Sequence, residues 1–493
     1  MSTVYDIDQA GDVLCTYSNS GSVSSIGKPR SGHHPDDDGS GKTKAEKTHV
    51  PWGKAVFYAF LPAGFPHTVT DDYLAYQTYD SLQAFSSSIA SLLANRAVLE
   101  GLGVGNASQS PTAALVLKII QDTFSRMATI LFAHRMGQAI EPECKTYRFM
   151  ADLFNDSALL LDLLTPVLPF FPKVCVMVMS SILRALCGVA ANASKASLSA
   201  HFAKTGNLAE LNAKEASQET VISLLGMLAG TAVVHMVEDR TVVLYWMVLL
   251  IFVHLNMNYR GVRHVKMLTL NRQRATIVFR EYLETGQILS PTEVSQREHV
   301  LHDVRGELRS KSGDYHGYCE VGTYGSVMLS RPNLLWWGSG GSAHSYKFET
   351  DEYFMSIWHW RSRFVIRLAM KESAHAMRSE KTIAPSTSET EAMLLAWFDA
   401  VTHAYHFDSA LKNGLGGHYE NEGPQGYVSS EVKQTILATL RSVGWDVSDG
   451  QLETTSPVRV RVSNGASGSS STGGDVKKTD HHRAGQHTLS KTD

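Results

Sequence analysis

Only five cysteines occur in 493 residues, at Cys15, Cys144, Cys175, Cys187 and Cys319, and no two form a CxxC pair. An odd, scattered set supplies neither a zinc framework nor a disulfide scaffold, and it fits a reducing compartment. Charge of one sign is lacking too: 45 Lys and Arg face 48 Asp and Glu, a net −3, which argues against a generally nucleic-acid-seeking protein. The opening stretch has no long apolar segment and carries Asp6, Asp8 and Asp12. It therefore reads as neither a secretory signal nor an acid-poor transit peptide. A complete phosphate loop is missing as well. GSGKT (Gly39 to Thr43) looks like the end of one, but Asp36 stands where a glycine is needed and no strand precedes it. No nucleophile–base pair is written locally, so no catalytic residue and no metal site is assigned, and the cofactor question stays open.

Also scarce is an apolar run that would cross a bilayer with length to spare. The two longest runs, VISLLGMLAGTAVVHMV and TVVLYWMVLLIFVHLNM, lie between Val221 and Met257 and are parted only by Glu238, Asp239 and Arg240. Each makes roughly 25 Å of helix at about 1.5 Å per residue, the lower limit for a hydrocarbon core of about 30 Å. They predict either a tight membrane hairpin or the core of a soluble bundle. On the membrane reading the embedded residues include Val221, Gly226, Gly230, Leu244, Trp246, Leu250 and Phe252, with Gly226 and Gly230 as a GxxxG face. After Met257 come Arg260, Arg263, Lys266, Arg272, Arg274 and Arg280 with no acid among them. A span ending there should place this end on the cytosolic or equivalent side. His235 and His254, single on apolar faces, read as core or interfacial histidines.

Residues 1–50 are Ser, Gly, Asp, Lys and His with little apolar clustering, and are expected to be disordered. Pro62, Gly64 and Pro66 mark an irregular entry loop, Thr70 can cap a helix, and Asp71 and Asp72 suit its N-terminus. Leu82, Phe85, Ile89, Leu92 and Leu93 then recur as one helical face. GLGVG (Gly101 to Gly105) follows a helix rather than a strand and reads as a helix stop. A second helix starts at Ser110-Pro111 and runs to about Gly137. A third covers roughly Glu143 to Thr165, with Asp152, Asn155, Asp156 and Asp162 on an arc of roughly 120°. That arc is either a solvated face or a polar seam inside a bundle, paired with Arg184. A fourth begins near Pro172. Arg184 interrupts it, and an unpaired mid-membrane arginine costs about 2.5–3.5 kcal/mol, so this helix is not expected to span alone. Asn212 and Glu215 fit a capping box, with Ser217 a second start. Leu270 to about Thr285 is a basic helix, and Ser290-Pro291-Thr292-Glu293 is a helix start. Arg260, Arg263 and Arg274 share one side on this reading: a solvated face, a seat for anionic headgroups or a grip on a phosphorylated ligand.

The pattern changes near residue 310. Tyr318 to Leu329 and Ser345 to Phe348 read as strands, and Tyr353 to Trp360 with Phe364 to Met370 as a hairpin around Arg361-Ser362. Helices follow at about Glu389 to His406 and Ser429 to Val443, then a strand at Val458 to Val462 and a Gly/Ser/Lys/His tail. GSGGSAH (Gly338 to His344) reads as a connection. Asp399, His403 and His406 have a spacing that could hold a metal, though a polar helical face is the plainer reading. The expected architecture is mainly α: a disordered tail at 1–50, a multi-helix membrane-associated domain at 51–305, a small α+β domain at 306–463 and a disordered tail at 464–493.

Six blocks occur in order: FLPAGFPHTVTDDYLAYQTYDSLQAF, AVLEGLGVGNA, ADLFNDSALLLDLLTP, SSILRALCGVAANASKASLSAHFA, NLAELNAKEASQET and NYRGVRHVKMLTLNRQRA. Together they resemble the root UVB sensitive (RUS) family over roughly residues 55–305, and the later part through Gly444 to Val447 looks like the family's variable C-terminal region. The resemblance implies membrane association, links to UV-B response, early development, auxin transport and vitamin B6 balance, and no established catalysis. A membrane of an intracellular compartment is expected, and the acidic start, a departure from plastid-targeted relatives, argues against a plastid address.

Three functional readings follow. The first is a non-enzymatic membrane scaffold or regulatory partner that meets lipid and pairs with itself or another RUS-type protein, without nucleic acid. The second is a carrier or binder of a small anionic metabolite through Arg260, Arg263 and Arg274, with Asp152, Asp156, Arg184 and the 213–220 segment nearby. The third is an enzyme built around Asp156 in a helical polar core.

Overall fold

The computed structural model describes residues 60–103, 111–237, 239–302, 306–309, 315–329, 344–360, 363–372, 388–412 and 429–462, together with three short strands near the N-terminus. Those strands, β1 (Thr3–Ile7), β2 (Val13–Ser18) and β3 (Val23–Ser24), pair antiparallel in order, a local arrangement inside the stretch expected to lack order.

The helical region comprises α1 (Tyr73–Gly101), α2 (Pro111–Ile140), α3 (Cys144–Leu164), α4 (Phe170–Phe202), α5 (Leu208–Met236) and α6 (Arg240–His264). Helices α1 and α3 are central: α1 packs on α3, α5 and α6, while α3 also meets α4 and α6, and α2 lies along α4. The glycines of α5 set one of these crossings. A Cβ at Gly226 would fall 2.7 Å from Ser88 Cβ and 2.9 Å from the Phe85 carbonyl, and one at Gly230 would fall 2.7 Å from Leu92 Cδ1. The expected small-residue face is therefore the seat of α1, whose backbone comes close only because side chains are missing.

Several boundaries differ from expectation for local reasons. Helix α5 begins at Leu208 with Asn207 at its cap, so Glu215 lies inside the helix, buried, and does not close a capping box. Helix α1 begins after Asp72, whose carboxylate accepts from Lys266 N (2.6 Å) and meets His201 Nε2 (3.1 Å). It ties the start of α1 to the end of α4 and to the chain after α6. Leu82 (50 % exposed) and Phe85 (36 % exposed) point outward, while Tyr76, Gln77, Gln83 and Ser86 point inward. Ile89 and Leu93 of the same expected face are buried, so the stripe turns outward only at its start.

A 3-10 turn at Thr165–Val167 ends α3 and orders the entry to α4. After α6 come β4 (Thr269–Asn271), α7 (Arg272–Thr285) and α8 (Pro291–Arg297). Helix α8 starts with the expected capping box between Ser290 and Glu293.

The α+β region holds β5 (Glu307–Arg309), β6 (Tyr315–Val321), β7 (His344–Glu349), β8 (Tyr353–Trp360), β9 (Arg363–Met370), α9 (Glu389–Lys412), α10 (Ser430–Val443) and β10 (Asp446–Gln451). Its five-stranded sheet runs β5-β6-β9-β8-β7, parallel only between β6 and β9. Tyr353, Met355 and Ile357 alternate with Phe364, Ile366 and Leu368 across the β8–β9 hairpin, giving one face packed in a core with Trp397, Phe398 and Leu440. The same core takes Ala275, Val278 and Phe279 of α7 and Val294 of α8, so it reaches back across residue 305.

Two strand expectations are corrected. Gly325–Leu329 is a π-helical turn, and Val458–Val462 contributes only a bridge between Val460 and Lys371. The last strand is instead β10, parallel to β4. Its segment, DVSDGQ, is too polar to announce itself, and pairing with β4 is what makes it a strand. The 338–343 connection and the 464–493 tail lie outside the described residues.

Candidate functional site

Helix α3 carries Arg148, Asp152, Asp156 and Asp162 within a narrow arc spanning about 21 Å of helix. This is the polar seam rather than a solvated face: the three aspartates are 6 %, 2 % and 2 % exposed in chain order. Burying carboxylates is costly unless each is hydrogen-bonded or paired, and every one of them is. Arg148 donates Nη2 to Asp80 of α1 (2.7 Å), Nη1 to Asp152 (3.1 Å) and Nε to the Tyr76 hydroxyl (3.3 Å). Asp152 also accepts from the amides of Gln83 of α1 and Asn258 of α6. His254 of α6 sets Nδ1 2.8 Å from Asp156 Oδ2 and Nε2 3.8 Å from Asp152 Oδ2. Farther along, Arg184 of α4 pairs with Asp162 and donates Nη1 to Ser180 Oγ (2.8 Å). Arg184 is therefore partnered, which removes the objection that an isolated arginine raised against α4 as a span.

The outside of the same bundle is apolar. Among the described residues three helices are long and apolar enough to cross a membrane: α4, α5 and α6. Of the residues expected to be embedded, Val221, Leu244, Trp246 and Phe252 face outward, Phe252 at 66 % exposure. Leu250 packs inward with Ile89 and Met247, and Gly226 and Gly230 are covered by α1. Leu228 and Tyr245 add to the outward set. At one end, Leu93, Ala97, Leu163, Leu164 and Val243 line a cleft of about 160 Å³ beside Arg96. That arginine is committed to the carbonyls of Val234 (3.0 Å) and Val237 (2.7 Å) at the close of α5.

The three arginines expected on one side are not brought together. Arg260 is exposed. Arg263 donates to the carbonyls of Glu298 (2.6 Å) and Gln296 (3.1 Å) at the end of α8. Arg274 is 2 % exposed, donates to Thr269 O (2.6 Å) and pairs with Glu298 (2.9 Å), which also meets Lys145 (2.6 Å). Burial alone would raise the Glu298 carboxyl, but Lys145 and Arg274 beside it hold it down to about 2. Arg274 is a buried tie between α3 and α7, its fork taken by Glu298 and Thr269.

His235 is exposed in the last turn of α5. Asp399 accepts from the Tyr353 hydroxyl and from Lys433 Nζ (2.5 Å), while His403 stacks on Phe348 with ring centroids 5.3 Å apart. His406 is exposed. Among the described residues no group of three or more His, Cys, Asp or Glu is arranged to hold a metal ion.

Sequence reasoning missed His254, Asn258, Arg148, Asp80 and Gln83 as members of the seam. A signal did exist. His254 and Asn258 stand four apart on an otherwise apolar helix, the spacing that Arg148, Asp152 and Asp156 keep on α3.

A buried chain of ionisable groups within an apolar-coated helical bundle defines a class: a multi-helix protein with three helices, among the described residues, apolar enough to cross a membrane, carrying an appended α+β region. The chain belongs to the root UVB sensitive (RUS) family. Residues 46–286 match the family model described as the vitamin B6 photo-protection and homoeostasis domain. The chain is 33 % identical to Protein root UVB sensitive 3 of Arabidopsis thaliana over 384 residues, covering 75 % of this chain and 83 % of that one. It is 38 % identical to RUS family member 1 of Dictyostelium discoideum over 253 residues, covering 50 % of this chain and 47 % of that relative. The match thus spans about half the length of the Dictyostelium relative. Protein root UVB sensitive 2, chloroplastic, of Arabidopsis thaliana is 28 % identical over 252 residues, covering 50 % of this chain and 56 % of that one. No solved structure matches the chain.

Proposed function

We propose that this RUS protein is an integral, non-enzymatic protein of an intracellular membrane, serving the vitamin B6 homoeostasis named for its domain as a scaffold or regulatory partner. The observation that carries the reading is the outward apolar coat of α5 and α6, where Val221, Leu224, Leu228, Leu244, Val248 and Phe252 are all exposed. A water-soluble monomer rarely exposes contiguous apolar surface beyond a few hundred Å², whereas lipid covers it at no cost. On this reading Arg260, exposed at the end of α6, meets anionic headgroups on the cytosolic or equivalent side. The outward face of α2, with Ile119, Ile130 and Leu131, offers the surface for a second RUS-type chain.

A second reading, a carrier of a small solute, is favoured by the seam. Ionisable residues inside a membrane bundle are costly and mark pathways more often than scaffolding. The arginine-lined anion site is not its basis, since Arg263 and Arg274 are already spent. Fractionation of the full chain from its own cells tests insertion. Retention in membranes through alkaline carbonate, with release by detergent, is the expected result. Release by carbonate alone would overturn it and make α5 and α6 the core of a soluble assembly.

A further inference from the structure

The imidazole of His254 lies between two carboxylates of α3. Its Nδ1 is 2.8 Å from Asp156 and its Nε2 is 3.8 Å from Asp152. A neutral imidazole has one N–H donor, so it would turn a nitrogen lone pair toward one of these carboxylates. A second ring proton removes that conflict. The surrounding charge points the same way. Asp80 of α1 and Asp152 of α3 share one guanidinium, that of Arg148, while Asp156 meets His254 and the Asn155 amide. The other groups facing the node are the Tyr76 hydroxyl of α1, Glu215 of α5 beside Asp80 and Tyr76, and, from α4, Lys195 beside Asp80, the Cys187 thiol and Arg184, the last taken by Asp162. No group of α6 other than His254 itself is charged there.

An independent observation comes from Asn258, 2 % exposed. Its amide nitrogen serves Asp152, while its Oδ1 is buried without a hydrogen-bond partner. An orphaned acceptor beside surplus carboxylates calls for a donor, and no metal-holding group exists among the described residues.

We infer that His254, clamped by Asp152 and Asp156, is a proton-binding site inside the bundle, and that the proton is the coupling ion of a carrier. The coupling half rests on the carrier reading; the binding half does not. A proton delivered by water forms an N–H bond on the ring and leaves to water on the other side, with no redox partner required. The orphaned Asn258 Oδ1 is placed to hold the water that delivers it.

Two measurements on the full chain test this. The first is nitrogen NMR of histidine-labelled protein in lipid nanodiscs across about pH 5 to 9. The His254 signals are assigned by their loss in His254→Gln. Asp152→Asn serves as a second variant, and each variant is used only if it elutes as the wild type does. The expected result is one doubly protonated imidazole whose proton affinity falls at least about tenfold in Asp156→Asn and returns in Asp156→Glu. A ring that stays singly protonated throughout, or an affinity unmoved by Asp156→Asn, overturns the site. The second is proton flux into liposomes holding a pH dye, driven by a potassium diffusion potential. Flux that disappears in His254→Gln supports coupling, and flux unchanged in that variant overturns it. Titration of His254 without any wild-type flux upholds the proton site and overturns the carrier reading.

Discussion

Glu298 stands where three elements meet, between Lys145 of α3 and Arg274 of α7 just after α8 ends. Removing its charge leaves two buried cations facing each other. Glu298→Gln should therefore cost about 3–5 kcal/mol, read as a lower denaturation midpoint of the detergent-solubilised protein. The sign of its pH dependence follows from its depressed carboxyl, about 2 in the fold against an ordinary 4.5. Its stabilisation is complete above pH 4.5 and is lost as pH falls through about 2, a change on the order of 3 kcal/mol. His403 adds a step at higher pH. Burial first, then His406 and Lys433, hold its imidazole down to about 4 from 6.5. The unfolded chain takes up that proton first, so stability begins to fall below pH 6.5 and the loss is complete only below about 4. His403→Phe, which can keep the contact with Phe348, should flatten the stability profile between those values by about 3 kcal/mol relative to wild type. Equal slopes in the two proteins would show that His403 does not titrate with folding.

At the scale of the element, the α1–α5 crossing depends on absent side chains. Gly226→Val would drive methyl groups into Ser88 and the Phe85 carbonyl, atoms that cannot all move aside. A loss of about 1–3 kcal/mol is expected from such overpacking. Gly137 in α2 is the contrast, since nothing lies within 4 Å of a Cβ placed there. Gly137→Ala should raise the thermal midpoint slightly, by the helix preference of about 1 kcal/mol. If both substitutions had the same effect, close approach would not be what the α5 glycines provide.

Along its helical region the molecule buries an ionisable seam beside apolar core clusters and carries an apolar coat on α5 and α6. Phe252→Lys tests which medium surrounds it. In water the change at an exposed position should be within about 0.5 kcal/mol. At mid-bilayer it should cost about 2.5–3.5 kcal/mol and lower the carbonate-resistant fraction. Asp446→Ala in β10, far from the coat, should leave that fraction unchanged. The seam lends such a bundle specific pairing among α1, α3, α4 and α6, because apolar contacts between helices discriminate little when lipid is equally apolar.

The residues alone determined the helices, their approximate ends, the capping box at Ser290, the β8–β9 hairpin and family membership, because each rests on local spacing or on contiguous blocks. The glycine face of α5 was legible too, though not that α1 would cover it. Local pattern cannot tell which face of an amphipathic helix turns inward when the outer medium is unknown. For that reason Leu82 and Phe85 read as a core stripe and proved outward, and His254 read as an isolated core residue. The pairing of the α3 arc with Arg184 was an open reading of the sequence, but other partners far apart in the chain were decided only by the tertiary structure: His254 with Asp156, Arg274 with Glu298, and β10 with β4. An ionic contact across a bundle leaves no periodic trace in either strand of sequence that makes it. Packing alone selects, among many chemically equivalent charges, the few that meet.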